Sequence, residues 1–467
     1  MGILRSIVFY FNIFCMLYTL ALSFVYIIQI VISYFVIRQN NEKKIAKDHK
    51  HYINSDNLLP ISIIVPAFNE EENIIENIYW MLNIEYPEHE VIIINDGSTD
   101  NTHSKIVAGY KLKQINPPIK ISLKTKQIRA VYFNPQYPNL IYVDKEPGGK
   151  SDALNTGINI SKYPLFVCLD ADSMIERDAI LKISTEFLKD TKTVVAGGFV
   201  RIANGSVIEN GKWKRFKMPN LTIERFQIIE YFRAFLSGRV SWNSTNSLLI
   251  VSGAFGVFNK SIVIEAGGYK TDTIGEDMEI IVTLHQYLRN KKRKYTIKFI
   301  EDAVCWTQGP MSVHDIRTQR RRWQIGLMDS LLHHKSMVLN PKYGSVGLLS
   351  LPYAWIFEFF GALVEGFGYF VIPLAFLFNE LSLFFFLLYL AVSTLLGILI
   401  SLGGLILEQN TNRGAMTVKQ CMQLTPYAML ENFGYRQFIT LCRVEGILRY
   451  HGLKSTWSKV KREPFNQ

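Results

Sequence analysis

Two long apolar runs bracket this chain and dictate its architecture. Residues 6–37 are almost uninterrupted Ile, Phe, Leu, Val and Tyr, and a second apolar region covers 346–407. A helix crosses the hydrocarbon core of a bilayer with about 20 apolar residues, so the first run suffices for one span. It is too long for the core of a secretory signal, and no small-residue cleavage site follows it. One cation, Arg5, precedes the run, whereas Lys43, Lys44, Lys47 and Lys50 follow it. That bias keeps whatever comes next in the cytosol. What comes next, 40–340, has the mixed texture of a globular α/β domain.

The second region divides into 354–378 and 381–407, each long enough to span, with Asn379-Glu380 as a tight external turn. Glu358 and Glu365 lie seven residues apart, hence on nearly the same helix face. Carboxylates inside a membrane are costly and mark a polar path; the alternative is a helix lying in the interface, as 341–353 is expected to do. Residues 421–450 are apolar but carry Glu431, Arg436, Arg443 and Glu445, which suits an interfacial or partly inserted helix. The basic tail 454–462 then stays cytosolic. Three spanning helices are expected, four if 421–450 inserts.

The soluble part is organised around 145–178, KEPGGKSDALNTGINISKYPLFVCLDADSMIERD. Gly148 and Gly149 let backbone approach a ligand closely, and Lys150 sets a cation beside them. Ser151 or Asp152 is placed to cap the following helix, Pro164 to end it, and 165–169 reads as a strand buried on both faces. That strand runs into Asp170-Ala171-Asp172. Residues i and i+2 of an extended chain point the same way, so two hard carboxylates leave the sheet edge together. They suit Mg2+ or Mn2+ bridging to a diphosphate, although turn chemistry explains the same pair. GGKS also resembles half of a P-loop. The first glycine of G-x-x-x-x-G-K-[ST] would fall at Asp144, which excludes an ATPase.

Further units fit the same sheet. Strands at 61–65 and 91–94 end in PAFNE (66–70) and NDGSTD (95–100), with a helix over 71–82 between them. Asp96 stands where open α/β sheets gather ligand-binding groups; a β-turn and helix cap describe the same backbone. Residues 111–143 read as an inserted hairpin with strands at 130–133 and 140–143, and a strand at 194–202 and an apolar helix at 223–236 follow. Gly253 and Gly256 flank Ala254-Phe255, forming either a main-chain wall beside a substrate or a bulged strand. Gly275-Glu276-Asp277 opens a helix over 278–289, and Asp277 is either a carboxylate favourable to the helix dipole or a catalytic base. Gln319-Arg-Arg-Arg-Trp323 is either a membrane-surface face or a diphosphate grip beside a tryptophan wall.

The net charge of +11 comes without a zinc-finger, RNP or helix-turn-helix pattern, so it implies no nucleic acid. It belongs to the membrane surface and a polyanionic substrate. Five scattered cysteines, Cys15, Cys168, Cys305, Cys421 and Cys442, make no CxxC pair, and nine histidines include no HExxH. His333-His334 reads as polar surface, and zinc chemistry is not implied.

PAFNE, NDGSTD, KEPGGKSDALN, DAD, SGAFG, GED and QRRRW occur in the order found in the membrane-embedded processive glycosyltransferases of family 2. Over about 58–340 the chain resembles these synthases of poly-N-acetylglucosamine, hyaluronan, chitin and cellulose. The resemblance implies an α/β, GT-A (Rossmann-like) cytosolic domain with flanking transmembrane helices. The divisions would be a helix at 1–40, the catalytic domain at 58–340, membrane and interfacial helices at 341–450 and a tail at 451–467. By the same resemblance Pro66, Ala67, Phe68, Glu70 and Asp96 hold the uridine of a UDP-sugar, with Lys150 nearby. Asp170 and Asp172 bind Mg2+ or Mn2+, Asp172 the more directly, and Asp277 beside Glu276 is the general base. Gln319, Arg322 and Trp323 close the diphosphate side and line the acceptor terminus, and Gly253, Ala254 and Phe255 border the acceptor sugar.

The activity implied is inverting transfer from UDP-N-acetylglucosamine, or secondly UDP-glucose, onto a growing polysaccharide exported across the lipid bilayer. So thin a channel leaves room for a partner subunit or homo-oligomer. One alternative adds a single sugar to a lipid carrier, but such enzymes usually lack the Q-x-x-R-W group. The other is an inactive export scaffold, for which decay of Asp96, Asp170, Asp172 and Asp277 is expected; all four are present. The chain departs from the family in having Gly275 where Thr or Ser is common, in the long 111–143 segment, and in having one preceding helix where several relatives have more. No cyclic-dinucleotide-binding domain follows the membrane region, so regulation of that kind is not expected.

Overall fold

The computed structural model describes residues 2–45, 58–209, 212–377, 383–411 and 416–453. The expected turn at Asn379-Glu380, Lys47, Lys50 and the basic tail lie outside them. Twelve strands are described: β1 (Ile61–Ala67), β2 (His89–Asn95), β3 (Lys113–Ile115), β4 (Ile128–Phe133), β5 (Leu140–Lys145), β6 (Leu165–Leu169), β7 (Met174–Ile175), β8 (Thr193–Ile202), β9 (Ser206–Glu209), β10 (Lys212–Phe216), β11 (Phe255–Asn259) and β12 (Thr296–Thr307). Ten form one mixed sheet in the order β3-β4-β5-β2-β1-β6-β11-β8-β12-β7.

Its centre follows from composition. β1, β2 and β6 are buried at every residue, as strands covered on both faces must be. β5, β2, β1 and β6 run parallel, so their carboxyl ends share one edge of the sheet. β11 runs antiparallel to β6 and begins at that same edge, with Phe255 opposite Leu169. Ligands of open α/β sheets bind beyond such an edge.

The 111–143 segment extends the main sheet. Its hairpin exists, β4 against β5, but β5 docks parallel to β2 with Asp144 opposite Asn95, and so belongs to the main sheet. The helix Lys150–Ile160 follows Gly149 at φ +88°, a left-handed conformation that favours glycine. Neither Ser151 nor Asp152 caps it, and Asp152 instead accepts the Lys126 amide at 3.0 Å. The helix expected at 223–236 runs on without a break as Thr222–Phe232, a π-helical stretch Arg233–Arg239, and Val240–Ser244. His334 is buried rather than surface, its Nε2 2.8 Å from the equally buried Glu279 carboxylate.

Among the described residues three helices are long and apolar enough to cross a membrane: Val8–Glu42, Val346–Leu377 and Phe386–Asn410. The 421–450 segment forms two helices, Val418–Leu430 and Tyr435–Leu448, rather than one. The second of these packs between the Val313–His333 helix and the Phe360–Leu377 helix. Glu365 faces it, accepting from Thr440 at 3.0 Å, and the Glu358 carbonyl accepts from Arg443. Arg201 of β8 grips Glu408 of the last span through two bonds, 2.6 and 3.0 Å, with both side chains buried. That pair rivets the sheet to the membrane helices.

Candidate active site

Four parallel strand ends assemble the site. Asp96, just past β2, is buried and organises the glycine loop: its Oδ1 accepts Lys145 Nζ at 2.7 Å and the Gly148 amide at 2.9 Å, and its Oδ2 accepts the Gly149 amide at 2.7 Å. Of a carboxylate's roughly four lone-pair sites, about one then remains for a ligand donor. Lys145, fully buried at the end of β5, also pairs with Asp152 at 2.7 Å. Gly148 has to be glycine, because a Cβ there would come 2.6 Å from the Asp152 carboxyl carbon.

Pro66 and Ala67 are buried residues of β1, paired in register with Ile94 and Asn95. The half-buried Phe68 and Glu70 follow in a loop stapled to the NDGSTD turn. Asn69, at φ +58°, takes the Thr99 amide at 2.7 Å, and the Glu70 amide donates to Thr102 at 2.8 Å.

Asp170 and Asp172 leave β6 through a turn closed by the Ser173 amide on the Asp170 carbonyl at 3.0 Å. Asn77 donates to the carbonyl of Ala171 between them. Lys150 Nζ bridges Asp170 at 2.7 Å and Glu276 at 2.9 Å, joining the strand end to the first turn of the Glu276–Asn290 helix. Burial alone would lower the lysine pKa; the two carboxylates outweigh it and hold the ammonium well above its ordinary value. Asp277 sits next along. Its Oδ1 takes the Met278 amide at 2.9 Å and its Oδ2 lies 3.4 Å from the Gly253 amide. Burial first, and then the Glu276 charge, raise its pKa against the pull of Lys150, the Met278 amide and Arg239.

Gly253 touches the same group, a Cβ there falling 3.2 Å from Lys150 Nζ and 3.3 Å from Glu276 Oε1. Ala254 follows, half-buried, while the Phe255 ring is fully buried in β11. Gly275 meets Gly326 of the Val313–His333 helix backbone to backbone, with a Cβ at 275 falling 2.7 Å from the Gly326 Cα. Gln319, Arg322 and Trp323 precede Gly326 by seven, four and three residues, which puts all three on the face turned to Gly275. The other two arginines face elsewhere: Arg320 binds Glu230 at 2.7 Å and Arg321 binds Glu445 at 3.0 Å. Arg320 also stacks 4.2 Å from the Trp323 ring, which stays 44% exposed.

The family model "Glycosyl transferase family 2" matches residues 62–248, and "Glycosyl transferase family group 2" matches 165–400. The second match alone covers half of the chain and takes in every residue from Asp170 to Trp323.

The chain belongs to the family 2 glycosyltransferases.

Poly-beta-1,6-N-acetyl-D-glucosamine synthase of Staphylococcus aureus (strain COL) is 32% identical to it over 326 residues, 69% of this chain and 66% of that protein. The protein of the same name from Staphylococcus epidermidis is 29% identical over 322 residues, 68% of this chain and 66% of that protein. The chain thus spans just under two thirds of the length of these curated relatives. Among solved structures, the mannosyltransferase PcManGT of Pyrobaculum calidifontis in complex with GDP-Man and Mn2+ is 15% identical, with 92% of this chain and 98% of that one covered at a TM-score of 0.49. So loose a superposition says nothing about the site.

In this glycosyltransferase Asp170 and Asp172 are the residues that would hold a divalent cation. Among the described residues no three His, Cys, Asp or Glu side chains cluster as a ready-made metal cage. Lys150 already pairs with Asp170, so the two strand-end carboxylates would supply only part of the oxygen ligands that Mg2+ or Mn2+ takes.

Sequence reasoning missed two cations here. Lys145 opens the central 145–178 stretch but has no role legible there, because its partner Asp96 lies 49 residues away in the sequence. Arg239 ends the π-helical stretch, its guanidinium 3.6 Å over the Phe235 ring, and burial pushes its pKa down to about 10 against the field of Asp277. An interruption of helical geometry of this kind is frequent at functional sites but leaves no mark on an apolar helix pattern.

Proposed function

We propose that this glycosyltransferase is an inverting, processive synthase that polymerises a sugar from a UDP-sugar, UDP-N-acetylglucosamine first and UDP-glucose second, into an exported β-linked polysaccharide. The observation that supports this reading is the bridge of Lys150 between Asp170 and Glu276, the residue next to Asp277, which joins the DxD strand end to the start of the helix carrying the base. Residues 58–340 form its catalytic domain, on the cytosolic side of a multi-pass membrane part, with the growing chain leaving along the face of Glu358 and Glu365.

Asp277 accepts the proton of the acceptor hydroxyl as that oxygen attacks the anomeric carbon and the bond to UDP breaks on the opposite face. Burial and the Glu276 charge raise its pKa and so strengthen it as a base, and a base of this kind contributes about 10²–10⁴ in rate. Asp96 holds the Gly148–Lys150 loop around the donor. Pro66, Ala67, Phe68 and Glu70 wall the uridine, and Phe255 serves only as main chain continuing Gly253-Ala254. Asp172 and Asp170 would hold Mg2+ or Mn2+, which supplies charge compensation for the departing diphosphate. Lys150 and Arg322 add cations there, and Gln319 and Trp323 receive the acceptor terminus.

The test is product formation by the purified protein in lipid, with either metal and a panel of labelled UDP-sugars, sizing what accumulates. Long polymer from one donor is expected. A single sugar on lipid would replace processivity with carrier glycosylation, and no turnover with any donor would overturn the enzyme reading of the isolated chain.

A further inference from the structure

A second concave surface lies at the far end of the Glu276–Asn290 helix from Asp277. Lys192, Arg289, Lys292, Arg293, Lys294 and Lys342 surround, with Tyr295, a cavity of about 400 Å³. The helix dipole explains part of this, since cations in and just beyond a last turn offset its negative end. It does not explain Lys192, which arrives from the turn before β8, or Lys342, from the 3₁₀ turn Pro341–Tyr343.

Two of the six cations are occupied. Arg293 pairs with Glu265 at 2.7 Å, and Arg289 bonds the Tyr295 hydroxyl at 3.3 Å while lying against Gly344. Among the described residues no carboxylate forms an ion pair with Lys192, Lys292, Lys294 or Lys342. Four ammonium groups from three separate segments therefore converge on one hollow, while the nearby carboxylates are engaged elsewhere, Glu265 with Arg293 and Asp190 with the Lys192 amide and Lys298, an excess of positive charge that favours an anionic occupant.

The place narrows the occupant. Lys342 stands four residues before the candidate span Val346–Leu377, and Leu339, Leu348 and Leu349 near it are all exposed. A lysine among exposed leucines at the root of a membrane helix lies at headgroup level, its stem in the apolar boundary and its ammonium in the polar layer. Cation clusters beside a span recognise anionic lipid.

We propose that this cavity binds the phosphate-bearing headgroup of an anionic phospholipid, fastening the far end of the helix that presents Asp277 to the bilayer surface. The lysines reach the phosphate from the soluble domain and from the root of the span together, so a bound lipid ties those two parts. Neither the donor site nor the acceptor path is used, and the inference stands apart from the sugar chosen above.

The experiment places the full chain in nanodiscs of phosphatidylcholine containing phosphatidylglycerol, then counts retained phosphatidylglycerol by native mass spectrometry. A variant carrying Lys192→Ser, Lys292→Ser, Lys294→Ser and Lys342→Ser is expected to retain roughly tenfold less, each lysine near an anionic leaflet adding to the attraction. The same four positions changed to arginine keep the charge and restore retention, which separates loss of the headgroup from loss of the fold. Excess inorganic phosphate leaves retention unchanged if the site reads a lipid. Equal retention in the serine variant, lost retention in the arginine variant, or displacement by inorganic phosphate would each overturn the proposal.

Discussion

Gly275 stands where the family resemblance leads to the expectation of Thr or Ser, and the structure supplies a steric reason for glycine there that can be tested by Gly275→Thr. The backbone at 275 has φ −101° and ψ 57°, so no left-handed conformation demands glycine there. The constraint is Gly326, whose Cα would lie 2.7 Å from the new Cβ, about 0.7 Å inside ordinary contact. The obstacle is backbone of a long helix and cannot rotate away. Either the overlap stays, at about 1–3 kcal/mol of stability, or the start of the Glu276–Asn290 helix moves by about that 0.7 Å, carrying Glu276 and Asp277 with it. A shift near 1 Å at a reacting group costs about 10²-fold. Turnover of Gly275→Thr is therefore expected to fall roughly 10- to 100-fold. UDP affinity should stay near normal, because Asp96, Asp170 and Asp172 sit on other elements. Gly238→Ala is the control, since its Cβ meets nothing within 4 Å. Steady-state polymer synthesis and UDP titration on the same preparations decide it. A threonine variant with near-normal turnover would refute the claim that the Gly275–Gly326 contact sets the base.

Asp277→Asn should bind UDP as the parent does and lose about 10²–10⁴ in rate; near-normal turnover would remove Asp277 from the base role. The base must be ionised, so turnover is lost as the pH falls through its pKa, and the Glu276 charge is one cause that raises that pKa. Glu276→Gln is accordingly expected to move the acid limb of the rate profile to lower pH, and a shift to higher pH contradicts the assignment. Asp172→Ala should erase the difference in UDP affinity measured with and without Mg2+; an unchanged metal-dependent affinity counts against a cation at that carboxylate. Glu408→Ala leaves the Arg201 guanidinium buried without the carboxylate it grips, at about 3–5 kcal/mol, whereas replacing both by Met and Leu is expected to be near neutral in thermal unfolding. Equal losses in the single and double variants would deny the pair its role as a rivet.

The residues that were legible in the sequence are those whose position follows from local pattern. The 165–169 strand stands as β6 with those bounds, because five apolar residues after a proline fit a strand covered on both faces. The carboxylates at 170 and 172 follow where that strand stops, but in a turn closed by the Ser173 amide rather than in the extended chain that the i, i+2 reading supposed. Lys145 was not legible, because its meaning depends on Asp96, 49 residues away, and on β5 docking beside β2. A strand with tyrosine, aspartate and lysine among its six residues carries the texture of an edge or an insertion, and only the register of Asn95 against Asp144 shows otherwise. QRRRW shows the same limit at finer grain. Composition treats its three arginines alike, and helix phase separates them: Arg320 and Arg321 close on Glu230 and Glu445, while Arg322 shares the Gln319–Trp323–Gly326 face. The two glycines at 275 and 326 carry that division into the site. Where they touch, the helix bearing Gln319, Arg322 and Trp323 and the helix bearing Asp277 come to backbone contact, so on the function proposed above the reaction geometry depends on a pair of residues with no chemistry of their own.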